Sequence, residues 1–185
     1  MRRGPSLVLF FFLCLFTPIV YAMVYHQEQH SLTQTILNTN NYYDPSSDIS
    51  STWDVNGSST HFGALDDGIR NGSTPDLTGY IYSVQHKIDE VGFPAIGESG
   101  VTSIILWVYC ETGSNGKLII SLKNEGAMQA SLTVNASSQG WSSIEWLNPA
   151  IVGGLTAEFN QNKQGGGRPQ SSFVYATYLE IIFTP

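Results

Sequence analysis

The stretch Val101-Thr102-Ser103-Ile104-Ile105-Leu106-Trp107-Val108-Tyr109-Cys110-Glu111, followed by Gly113-Ser114-Asn115-Gly116 and then Lys117-Leu118-Ile119-Ile120-Ser121-Leu122-Lys123, decides the fold. Side chains on a strand alternate between its two faces. Ile104, Leu106, Val108 and Cys110 therefore face one way, and Ser103, Ile105, Trp107 and Tyr109 the other. Apolar residues on both faces predict a central strand, or one whose second face is covered. Asn-Gly tolerates the positive φ of a tight turn. The spacing thus predicts a hairpin over Val101–Lys123, with Leu118, Ile120 and Leu122 sharing a face on its return arm.

The same texture extends in both directions. Short alternating runs, separated by Gly, Asn, Ser and Pro, predict strands near Leu32–Leu37, Thr60–Leu65, Tyr80–Gln85, Asp89–Phe93, Ala130–Asn135, Ser142–Trp146 and Leu155–Phe159. The closing run, Phe173–Phe183, alternates throughout and is predicted to lie mid-sheet. Helical periodicity is almost absent after residue 22. An all-β sandwich or barrel follows. Three polar segments read as loops: Thr39–Ser58, Asp66–Thr78, and Gln161–Ser172 with its Gly165-Gly166-Gly167 run.

A set of stretches carries a resemblance. They are Leu65-Asp66-Asp67-Gly68, Pro75-Asp76, Tyr80-Ile81, Val101-Thr102-Ser103-Ile104, Trp107-Val108-Tyr109, Gly165-Gly166-Gly167 and Val174-Tyr175-Ala176. Together, over roughly residues 51–185, the chain resembles jelly-roll-like β-sandwich modules of prokaryotic, especially archaeal, secreted surface and fibre proteins and of phage structural proteins. The resemblance implies a single jelly-roll-like β-sandwich and a surface or fibre role. Its motifs are structural, and it brings no reaction chemistry.

The N-terminus gives the compartment. Arg2 and Arg3 precede the apolar run Leu7–Ile19, and Val20-Tyr21-Ala22 offers small residues at positions −3 and −1, the layout of a secretory signal peptide. Two other readings stay open. Leu7 to Tyr25 is 19 residues, about the ~20 that span a bilayer as an uncleaved anchor. Arg-Arg-Gly before an apolar run also resembles the processing site of archaeal type IV pilins. The expected organisation is a leader at 1–22, an N-terminal arm and linker at 23–50, and the sandwich at 51–185. An extracellular or cell-surface location is expected.

Composition narrows the partners. Removal of the leader leaves six basic residues against 15 acidic ones. Nucleic-acid binding needs clustered cations and is excluded. Only 12% of residues are charged, so the surface must be built from hydroxyl, amide and glycine groups. Cys14 leaves with the leader, and Cys110, on the apolar face of its strand, reads as a small buried residue.

Catalytic signatures are missing. His26 and His30 have neither the Glu nor the helix of a zinc motif, and no G-x-S-x-G occurs. Asp66 with Asp67, and Asp89 with Glu90, are adjacent in sequence, and neighbours in extended chain point to opposite faces, so neither pair converges by itself on a glycosidic bond. No enzyme is expected, and no cofactor beyond structural calcium. Asp44, Asp48, Asp54, Asp66, Asp67 and Asp76 lie in loops, where hard oxygen ligands could hold Ca²⁺; the alternative is that they cap turns. The sequons mark Asn56, Asn71 and Asn135 as glycosylation sites. Trp53, with Tyr42 and Tyr43, is the leading candidate for stacking on sugar rings. Trp141 is a further candidate, whereas Trp146 alternates with Ile144 and belongs to the core.

The segment Leu32-Thr33-Gln34-Thr35-Ile36-Leu37 is β-capable and precedes the main domain. It either folds back as an edge strand or pairs with the open edge of another copy. Head-to-tail exchange of this kind propagates into filaments. The sequence therefore reads as a secreted subunit of an extracellular filament, pilus or surface layer that assembles with itself by strand donation. The alternative is a non-catalytic carbohydrate-binding or adhesin module that engages cell-surface or extracellular glycans.

Overall fold

The computed structural model describes residues 39–66, 74–75, 77–85, 87–113, 116–135, 137–150, 153–163 and 171–184. The expected leader, the strand predicted over Leu32–Leu37, and Gly165-Gly166-Gly167 lie outside the described residues. Among the described residues, eleven strands and one short helix are formed: β1 (Thr39–Tyr43), β2 (Ser47–Ser50), β3 (Asp54–Asn56), α1 (His61–Leu65), β4 (Tyr80–Ser83), β5 (Ile88–Gly92), β6 (Val101–Thr112), β7 (Gly116–Asn124), β8 (Ala127–Val134), β9 (Gly140–Leu147), β10 (Leu155–Lys163) and β11 (Ser172–Phe183).

The strands form two antiparallel sheets in a jelly-roll-like sandwich. Sheet A runs β3-β4-β11-β6-β9, with β1 also on β11, and sheet B runs β2-β5-β10-β7-β8. The two long strands with apolar residues on both faces, β6 and β11, sit centrally in sheet A, as their patterning predicts. β6 occupies one edge of β11 along its length. On the other edge β4 pairs with residues 172–174 and β1 with residues 179–183.

Three expectations are corrected. β6 and β7 are not a hydrogen-bonded hairpin: β6 pairs with β9 and β11, and β7 with β8 and β10. β6 ends at Thr112 in one sheet and β7 begins at Gly116 in the other, with the Gly116 N–H donating to the Gly113 carbonyl at 2.7 Å, and the apolar faces of both strands line the core. The sandwich begins at Thr39 rather than residue 51, because β1 and β2 pair within the sheets. The predicted strand at Thr60–Leu65 is the helix α1. Thr60 caps it by accepting from the Gly63 N–H at 3.2 Å, and Asp48 accepts from the N–H groups of His61 and Phe62 at 3.2 and 2.8 Å. These bonds satisfy the orphan donors of the first turn.

The inward faces make one apolar core. Ile104, Leu106, Val108 and Cys110 of β6 meet Leu118, Ile120 and Leu122 of β7, Ala157 and Phe159 of β10, and Leu179 and Ile181 of β11. All lie at 1% exposure or less. Truncating one such large side chain costs about 2–5 kcal/mol. Cys110 is inert here, since burial pushes its thiol up to about 12.

Candidate functional site

The outer face of sheet A is aromatic, and a β-bulge makes it so. The β11–β6 register shifts between Val174 and Ala176. Val174 before the shift and Leu179 and Ile181 after it face the core. The extra residue moves the outward set from odd to even positions. Phe173 and Tyr175 therefore share the outer face with Tyr178 and Glu180, which strict alternation would place on the opposite side.

The neighbouring strands supply the remaining rings. β4 gives Tyr80 and Tyr82, β6 gives Trp107 and Tyr109, β9 gives Trp141, and β1 gives Tyr42. The contacts are continuous. Tyr82 stacks on Phe173 with centroids 5.8 Å apart, and Phe173 stacks on Tyr175 at 6.2 Å. Tyr175 meets Tyr80 at 5.5 Å and Tyr109 at 6.1 Å. Tyr109 meets Trp141 edge-on at 5.3 Å, and Trp141 meets Tyr178 at 5.4 Å. Tyr178 then stacks on Trp107 at 6.2 Å and touches Tyr42 at 5.9 Å. Edge-to-face and offset contacts of this kind stabilise each other beyond area burial.

Burial grades across the strip. Tyr109, Tyr175 and Tyr178 are buried, and Tyr80, Tyr82, Trp107, Trp141 and Phe173 are half-buried. Tyr42 is 39% exposed. The strip thus joins buried rings to partly exposed ones.

Carboxylates pin the rings. Trp107 donates its Nε1–H to Glu180 at 2.9 Å, and Asn40 donates to the other oxygen at 2.7 Å. The Tyr175 hydroxyl donates to Glu111 at 2.6 Å. Burial, followed by this bond to Glu111, holds the Tyr175 hydroxyl well above the usual tyrosine range. Ser103 donates to Glu145 at 2.6 Å. Hydrogen bonds to ionised acceptors are the stronger kind and hold a side chain in place.

The residues singled out from sequence fall in different places. Tyr42 lies on the strip. Tyr43 does not: it packs on the core, and its hydroxyl bonds both oxygens of Glu98 at 2.6 and 2.7 Å. Trp53 is corrected outright. It is 4% exposed, packs against Phe159 at 6.3 Å, and donates its backbone N–H to Asp89 at 2.9 Å. Its indole donates to the Lys87 carbonyl at 3.2 Å. A ring held this way cannot stack on a ligand.

Only part of the proposed calcium set lies among the described residues. Among the described residues no three His, Cys, Asp or Glu side chains come together to hold a metal. Asp48 is engaged in capping α1, Asp54 sits exposed on β3, and Asp66 follows α1 with its side chain exposed. Asp44 lies in the connection between β1 and β2. Asp67 and Asp76 lie outside the described residues, as does Asn71. Asn56 and Asn135 are exposed. Asp89 and Glu90 do point to opposite faces. Asp89 is fully buried and pairs with His61 Nδ1 at 2.8 Å, whereas Glu90 accepts from Lys123 on the outside of sheet B.

No family model and no curated protein matches the chain. Among solved structures it is similar to the CBM36-1 domain of a multidomain xylanase from the hindgut metagenome of Trinervitermes trinervoides. The identity is 13%, over 77% of this chain and 96% of that one, with a TM-score of 0.42. It is also similar to the C-terminal CBM6 of LamC from Zobellia galactanivorans, at 10% identity over 77% and 99% of the chains, with a TM-score of 0.44. A third is the Stig cyclase Fisc from Fischerella sp. TAU, at 12% identity over 82% and 91%, also with a TM-score of 0.44. Two are carbohydrate-binding modules and one is a cyclase. At these identities and TM-scores the likeness carries no argument about function, which must come from the site.

Proposed function

We propose that this protein is a secreted, non-catalytic carbohydrate-binding module that takes sugar rings on the outer face of sheet A. The observation that carries this reading is the unbroken aromatic strip from Tyr82 to Tyr42. Sugar rings present C–H faces to aromatic rings and hydroxyls to carboxylates. The strip supplies both groups, with the rings of Trp107 and Trp141 partly exposed and Glu111, Glu145 and Glu180 beside them. Amphipathic rings locked by their neighbours bind at low cost in lost side-chain freedom. The face is broad, as suits an extended chain of sugars. Glu180 is held at both oxygens by Asn40 and Trp107, an orienting role rather than proton transfer.

Strand donation by Leu32–Leu37 lies outside the described residues and gains no support from them. Affinity electrophoresis through gels cast with plant, algal and chitinous polysaccharides tests the binding reading. The expected result is retardation in at least one gel, lost in a Trp107→Ala/Trp141→Ala double variant. Free migration in every gel, or equal retardation of the folded double variant, would overturn it.

A further inference from the structure

Charge is divided unevenly between the two sheets. The six strands of sheet A carry Asp54, Glu111, Glu145 and Glu180, and no Lys or Arg. The lysines on described strands, Lys117, Lys123 and Lys163, all lie in sheet B. Lys123 there is already bridged to Glu90 at 2.8 Å and Glu158 at 3.1 Å. The whole chain has a formal net charge of −7.

Among the described residues, the three carboxylates on the aromatic face meet neutral donors only. Glu180 accepts from Asn40 and Trp107, Glu111 from Tyr175, and Glu145 from Ser103. Each group is fixed in place, yet no cation on these strands offsets its charge. A carboxylate has about four lone-pair sites, so each keeps acceptor capacity for a ligand.

Register places them at the two ends of the strip. Phe173 pairs with Glu111 across the β11–β6 ladder. Glu180 pairs with Ile105, which pairs with Glu145 in turn. Glu111 and Ile105 are six residues apart on one strand, roughly 20 Å at about 3.3 Å per residue. Rings fill the interval. The arrangement is aromatic along its length and anionic at both ends.

We infer that the saccharide recognised by this face carries primary amines: an amino-sugar polymer with free ammonium groups, in preference to neutral or acidic chains. This rests on the carbohydrate-binding reading above. Ring faces take the sugar C–H surfaces, the ammonium groups meet Glu111, Glu145 and Glu180, and cation–π contact with Trp107 and Trp141 adds to the attraction. Uronic-acid polymers meet like charge and are rejected.

The test is calorimetric titration of the full chain, in mildly acidic buffer, with equal-length β-1,4 oligomers of glucosamine and of N-acetylglucosamine. The two share a backbone and differ in the charge on nitrogen. The glucosamine oligomer is expected to bind about tenfold more tightly in about 50 mM salt, and the preference is expected to shrink severalfold in about 500 mM salt. A Glu111→Gln/Glu145→Gln variant, which keeps an oxygen acceptor for Tyr175 and for Ser103, is expected to lose most of the preference while its thermal melt shows the fold intact. Equal or tighter binding of the N-acetylated oligomer overturns the inference and leaves the carbohydrate reading standing. No binding of either oligomer, with free migration in every polysaccharide gel, overturns both. Spermidine bound as tightly as the glucosamine oligomer would show a cation site without sugar recognition and would also overturn both.

Discussion

Replacing Trp107 by alanine removes the ring on which the proposed site most depends, and the structure sets the size of both effects. A tryptophan side chain buries about 150–250 Å² when fully covered. Trp107 is half-buried, so the loss is about 75–125 Å², or about 2–3 kcal/mol at about 25 cal/mol per Å². Its stack on Tyr178, with planes 21° apart, adds about 1 kcal/mol. Glu180 also loses one of its two donors. Stability should fall by about 3–4 kcal/mol, read from urea unfolding. Ligand affinity should fall by about 2 kcal/mol, the loss expected of an aromatic anchor, which is about 30-fold in Kd. Trp107→Phe keeps a ring and loses only the indole N–H and part of the surface. It should cost about 1 kcal/mol in each assay and remain folded. Calorimetry on both variants separates the effects. Undiminished affinity in a folded Trp107→Ala protein, with the stability loss present, would refute the assignment of this face.

Other consequences follow from particular contacts. Asp48→Ala strips two acceptors from the first turn of α1 and should cost about 1–2 kcal/mol; an unchanged urea midpoint would contradict the capping. Asp89 is buried, and this raises its carboxyl above the usual range against the opposing pull of the Trp53 N–H and His61. A raised folded-state pKa stabilises the fold fully below the unfolded value, near 3.9, and that contribution is lost as pH rises through the folded value. Stability of the wild type relative to Asp89→Asn should therefore decline as pH rises from about 4, and a relative gain over that window would contradict the environment described. Cys110, 1% exposed and pushed up to about 12 by burial, should react with thiol reagents only on unfolding; rapid labelling of native protein would show that the core is open.

What the sequence revealed follows from how local each signal is. β6 could be read because its alternation is unbroken and both faces are apolar, which is what a central strand needs. β11 was placed mid-sheet on the same ground, but its faces were not, because the bulge near Tyr175 switches the alternation and nothing in Val174-Tyr175-Ala176 announces it. The Gly113–Gly116 turn reads alike for a hairpin and for a crossing between sheets. α1 depends on Asp48, which lies outside the helix and reaches it only through the fold. Trp53 sits in a polar stretch and looked exposed, yet Phe159 and Asp89, both distant in sequence, bury it. The aromatic face left one trace: pairs two apart, Tyr80 with Tyr82, Trp107 with Tyr109, and Phe173 with Tyr175. Their joining across three strands is a property of sheet order, which no local pattern encodes.

The central claim is that ligand meets the outer face of sheet A, and four tryptophans make it directly testable. Trp107 and Trp141 lie on that face, whereas Trp53 and Trp146 pack against the core. Saccharide titrated into ¹⁵N-labelled protein should shift the indole N–H resonances of Trp107 and Trp141 and leave those of Trp53 and Trp146 in place. Shifts confined to Trp53 or Trp146 would place the binding surface elsewhere and contradict the account.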